Sequence, residues 1–169
     1  MSKANREVKK LGLTQSRLME VITYDAETGR FVWGAHGTKP HQVAGTINEE
    51  GYRRIQVDGT IYYANQLAWL YVKGVWPEGI IDHKNRVTSD DRFTNLREAT
   101  NGQNRANSKV GKNNALGIKG VRKHRNGQYE ARIRVNGSAI YLGCYRTIDA
   151  AKAVYDAAAA SAFGEFHAP

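Results

Sequence analysis

The sequence predicts an α+β chain in two parts, a larger mixed unit followed by three antiparallel strands packed on one helix. Three observations carry this. Short alternating runs are joined by two-residue turn signals at Asp58-Gly59, Asn126-Gly127 and Asn136-Gly137. Capped helical stretches stand apart from them, the longest being the alanine-rich "IDAAKAVYDAAAASAF". Between the two parts, "SKVGKNNALG" has the Gly, Asn and Lys content of a linker. At 169 residues, 41% of them hydrophobic, the chain suffices for one ordinary domain or two small ones.

In chain order, residues 1–13 read as a flexible basic lead. "TQSRLMEVITYD" reads as a short helix with Thr14 as cap and Leu18, Val21 and Ile22 on one face. "DAETG" turns the chain and "RFVWG" is a strand. "YRRIQV" and "TIYYA" form a hairpin about Asp58-Gly59. Asn65 is expected to cap the helix "QLAWLYVK", which Gly74 ends. "IIDH" is a short strand, buried at its start and polar at its end, and residues 84–92 are a polar loop. Thr100 with Gln103 fits a capping box, so a helix starts near Asn101. The domain break is expected at residues 109–116. Beyond it, "KGVRKHR", "QYEARIRV" and "SAIYLGCY" are strands, and Thr147 and Gly164 bound the last helix.

The formal net charge of +9 favours a polyanionic partner, nucleic acid before a membrane surface. The charge is local. Residues 101–169 hold 11 basic against 4 acidic side chains, and nine basic residues lie between Arg105 and Arg134 with Glu130 as the one acid. One cysteine, Cys144, excludes an internal disulfide and a Cys-rich zinc site, and makes a reducing cytoplasm the default compartment. No apolar run approaches the ~20 residues of a membrane span.

The stretch "PEGIIDHKNRVTSDDRFTNLREATNGQNRANSK" crowds Asp82 and His83 together with Asn85, Asn95, Asn101, Asn104 and Asn107. A loop explains the asparagines plainly. The sharper reading is a hard-metal site beside a histidine base. A carboxylate suits Mg2+, and a neutral imidazole can take a proton from water near neutral pH. A continuing strand would point Asp82 and His83 to opposite sides, so shared use requires a strand end where the backbone bends. Asn95 and Asn104 would face opposite ways on one helix, but the capping signal at Thr100 separates them. Asn104 and Asn107 share a face, and either amide could be a second ligand.

The order Asp-His, polar loop, "RFTNL", "QNRAN" resembles the HNH homing endonucleases of bacteriophages, which use the ββα-metal fold. The resemblance takes in "LMEVITYDAETGRFVW" and "GYRRIQVDGTIYYANQLAWLYVKGVWPEG", and so spans residues 14–108. It implies hydrolysis of a DNA phosphodiester with one Mg2+ or Mn2+ ion. His83 would be the general base, Asp82 and Asn104 metal ligands, and Asn95 the residue that orients the His83 ring. Two positions depart from the pattern. Asn65 stands where many relatives have His, and Asp91 where many have Asn, a change expected only to alter the loop.

In "YEARIRV", alternation puts Glu130, Arg132 and Arg134 on one face and Tyr129, Ala131, Ile133 and Val135 on the other, toward the helix. A free arginine face fits the DNA major groove. "GVR", "IR", "YLG" and "FGEF" within residues 116–167 resemble the DNA-binding domain of plant ethylene-response factors, the Apetala-two/ERF fold. That resemblance covers the final domain, residues 117–169. It implies contacts to double-stranded DNA from Lys119, Arg122, His124, Arg134 and Tyr141, beside Arg125 and Arg132 of the same basic face. Asn126, Arg132 and Ala139 depart from the family, so its target sequence does not carry over. The combined expectation is a site-specific endonuclease of homing type, a monomer or weak dimer. The alternative is a non-catalytic DNA-binding regulator with a decayed nuclease domain.

Overall fold

A computed structural model describes residues 12–35, 39–111, 113–124 and 126–168. The basic lead before residue 12, together with His36 and Arg125, lies outside the described residues. The chain forms two compact units, the first ending at Glu98 and the second starting at Ala99.

In the first unit, helix α1 (Gln15–Val21) is capped by Thr14, whose hydroxyl accepts the Arg17 N–H at 3.2 Å. It ends earlier than the sequence suggests. Ile22–Asp25 is instead strand β1, antiparallel to β2 (Arg30–Trp33). Ile22 and Tyr24 are buried while Thr23 and Asp25 are exposed, the period-two pattern that β-branched and aromatic residues favour. The Asp25 carboxylate accepts from the backbone of Glu27 and Thr28 and fixes the turn that Gly29 closes at φ 72°.

Strands β3 (Thr46–Ile47), β4 (Arg53–Val57) and β5 (Thr60–Tyr63) make one antiparallel sheet in chain order. Asp58 and Gly59 both have positive φ, 47° and 76°, as the β4–β5 turn needs. Helix α2 (Ala64–Lys73) starts directly after β5 and ends at Gly74 in the left-handed region. Its cap is Tyr63 and not Asn65, which lies inside the first turn. Leu18, Ile22, Phe31, Ile55, Leu67 and Leu70 fill the core between these elements. Strand β6 (Ile80–His83) pairs with β7 (Leu96–Ala99). Sequence reading missed β7 because three of its four residues are buried and it shows no alternation.

The second unit opens with α3 (Asn101–Asn107). Both halves of the expected capping box are present: Thr100 Oγ1 accepts the Gln103 N–H, and Thr100 N–H donates to Gln103 Oε1 at 2.8 Å. Strands β8 (Val121–Lys123), β9 (Tyr129–Val135) and β10 (Ser138–Tyr145) form an antiparallel sheet with β9 central. Helix α4 (Ile148–Phe163), capped by Thr147, packs on it through Ala151, Tyr155 and Ala159 against Val121, Ala131 and Ile133. Small alanines let the helix axis come close to the sheet. Helix α3 packs on α4, which places it with this unit although it precedes the linker-like stretch.

Candidate active site

Asp82 and His83 are adjacent on β6, and both are buried, at 5% and 4% exposure. Burying two ionisable neighbours is costly unless each meets a partner. The partners come from different elements. Arg97, on β7, donates its Nε–H to Asp82 Oδ2 at 2.9 Å. Asp91, from the loop after β6, places Oδ1 3.1 Å from His83 Nε2. The Tyr52 ring lies 5.9 Å from the His83 ring and meets Tyr63 edge-on. Burial, then the charges of Glu50 and Asp82, holds the Tyr52 phenol above its ordinary pKa.

Two asparagines of the crowded stretch tie the loop together. Asn85 donates to Asp90 Oδ2 at 2.7 Å and accepts from the Val87 N–H at 2.9 Å. Asn95 accepts the Asn85 N–H at 3.0 Å and donates to the Asp90 carbonyl at 2.8 Å. Its side-chain amide thus holds backbone, while Asp91 brings a carboxylate to the His83 ring. Arg92 grips the Asp90 carboxylate at 2.6 and 2.7 Å, and holds its pKa down at about 2 against the opposing effect of burial. Sequence reasoning passed over Asp91 as a loop acid, since one Asp of an Asp-Asp pair in a polar loop carries no signal of burial. Arg97 was missed for a similar reason, because nothing in "NLREAT" marks β7.

The remaining residues fall as follows. Asn104 is half-buried on α3 and Asn107, one turn further, is buried. Asn65 is buried, donating to the Ile81 carbonyl at 3.2 Å and accepting from the Gln66 N–H at 2.9 Å. It therefore ties α2 to the strand that carries Asp82 and His83.

On the second unit's sheet, Arg132 and Arg134 are exposed and Ala131 and Ile133 buried, the alternation read from the sequence. Glu130 lies buried among these cations. Arg122 bonds it at 2.9 Å, Arg132 also pairs with it, and both hold its pKa below the ordinary carboxylate range, the Arg122 hydrogen bond first. Arg132 also lies 5.9 Å from the exposed ring of Tyr141, its cross-strand partner. Arg134 donates to the Gly137 carbonyl at 3.5 Å. His124 is exposed, its Nδ1 3.1 Å from Asn126 Oδ1. The Lys119 ammonium donates to the Ala106 carbonyl at 2.6 Å and reaches that of Ala168 at 3.4 Å.

Residues 62–106 match the family model for HNH endonucleases, a stretch that runs from β5 through β6, β7 and most of α3. That stretch carries an HNH endonuclease family domain, and the match points to a nuclease-type, DNA-cleaving function. No curated protein and no solved structure matches the chain. Among the described residues no group of three or more His, Cys, Asp and Glu is placed to hold a metal, and no helix is long and apolar enough to cross a membrane. HNH nucleases typically use a divalent metal. A hard cation at Asp82 would have to share the carboxylate with the Arg97 guanidinium, which holds Oδ2 at 2.9 Å.

Proposed function

We propose that the chain is a site-specific DNA endonuclease of the homing type that bacteriophages carry, with His83 as its general base. The observation that carries this reading is the buried Asp82–His83 pair inside the stretch matching the HNH family, each member with its own counter-group. His83 takes a proton from a water whose oxygen attacks the phosphorus, and the bond to the 3′ oxygen breaks in line with it. Asp82 and, on sequence grounds, Asn104 would hold one Mg2+ or Mn2+ ion, which when bound supplies positive charge against the phosphate. Asn95 keeps the loop after β6 in shape. The exposed face of the second unit, with Arg122, Arg132, Arg134, His124 and Tyr141, offers cations and an aromatic ring to double-stranded DNA, and Arg125 is assigned there from sequence alone. The protein works as a monomer or weak dimer.

A plasmid-nicking assay with and without Mg2+ tests the proposal. His83→Ala is expected to abolish cleavage and leave DNA affinity intact. A chain that binds DNA tightly but never cuts it, with either ion, is instead a DNA-binding regulator on a decayed nuclease scaffold.

A further inference from the structure

We infer that Asp91 is a positioning residue: its buried carboxylate accepts the Nε2–H of His83 and so fixes the tautomer whose lone pair is on Nδ1. This rests on the reading of His83 as the base and adds the group that prepares it. The separation is 3.1 Å, and the two side chains are 3% and 2% exposed, so water does not compete for the contact. A neutral imidazole carries one N–H, and a carboxylate partner, which can only accept, decides which nitrogen carries it.

The surroundings hold Asp91 in place from several sides. The Tyr24 hydroxyl, from β1, donates to the Asp91 carbonyl at 2.7 Å. Asn95 donates to the preceding carbonyl, that of Asp90. Arg92, one residue on, is tied back to the Asp90 carboxylate. The turn at Gly29 lies against the Asp91–Arg92 peptide so closely that a Cβ there would stand 2.6 Å from the Asp91 carbonyl carbon. Three side chains and a turn thus fix residues 90–92 of an otherwise exposed loop.

A purely structural role explains the pair poorly. Among the described residues Asp91 Oδ2 is buried with no hydrogen-bond partner, an arrangement that costs stability and that a neutral side chain would avoid. Functional sites are where such costs persist. Asn95 then acts at one remove, by shaping the loop that presents Asp91.

The test reads the tautomer directly and does not depend on cleavage. Two-bond 15N–1H spectra are recorded on the metal-free full chain at about pH 8, above the ordinary imidazole range. The His83 signals are identified by their loss in His83→Gln. Wild type is expected to show the Nε2–H pattern. Asp91→Asn is nearly isosteric, but its amide can turn oxygen or NH2 toward the ring. The pattern should then become mixed, and the single-turnover cleavage rate should fall roughly 10²-fold, with DNA affinity unchanged. An Nδ1–H pattern in wild type overturns the inference, as does an Asp91→Asn variant with unaltered pattern and rate. Should that variant fail to fold, the wild-type pattern alone decides. A chain that shows the Nε2–H pattern yet cuts no DNA upholds the positioning role and removes the nuclease reading.

Discussion

Gly29→Ala tests the frame around the site without touching the chemistry. Gly29 has φ +72°, and a Cβ there would stand 2.4 Å from the Arg92 nitrogen and 2.6 Å from the Asp91 carbonyl carbon. Both neighbours are backbone, so no side chain can swing aside. Ordinary contact distance is about 3.5–4.0 Å, so the loop carrying Asp91 must retreat by roughly 1 Å. The left-handed conformation itself costs a non-glycine residue about 1–2 kcal/mol. Forcing atoms into a packed contact adds about 1–3 kcal/mol. Gly59→Ala is the control. Its φ is +76°, and nothing lies within 4 Å of the position a Cβ would take. It carries the conformational cost alone. Urea unfolding of both variants should show Gly29→Ala the less stable by about 1–3 kcal/mol, with a slowed cleavage rate that Gly59→Ala does not share. Equal stabilities within about 0.5 kcal/mol would mean that the β1–β2 turn does not buttress the Asp91 peptide, and the account of how the loop is held would fail.

Three further outcomes are expected. Arg92 holds the Asp90 pKa at about 2, below the ordinary value of about 3.9, so the ionised carboxylate stabilises the folded loop above that ordinary value; the contribution is lost as pH falls through about 2. Asp90→Asn should flatten the dependence of stability on pH in that window, read by denaturant unfolding at successive pH values. On the second unit, Arg134→Ala should weaken specific DNA binding by about 1–3 kcal/mol if it reads a base, whereas Lys119→Met should lower unfolding stability and leave the salt dependence of binding unchanged, because that ammonium is occupied by carbonyl oxygens.

Local signals determined much of this protein directly. Thr14, Thr100 and Thr147 announce helix starts, Gly74 a helix end, and Asp58-Gly59 and Asn136-Gly137 the hairpin turns, because each acts on backbone groups within a few residues of itself. The alternation of "YEARIRV" likewise fixes which face meets α4, since side-chain direction along a strand is a local property. Asp82 and His83 could be singled out by residue type and neighbourhood. Their partners could not. Arg97 comes from a strand with no periodic signal, and Asp91 from a loop whose composition reads as solvated, so the ion pair at Asp82 and the hydrogen bond at His83 exist only once the chain is folded. The same limit applies to Lys119, a surface cation by sequence that the fold turns onto backbone carbonyls. Sequence by itself thus determined the elements, the basic face and the candidate base. Tertiary structure decided which carboxylate meets the imidazole and which cation meets Asp82, because burial and charge pairing depend on residues distant along the chain.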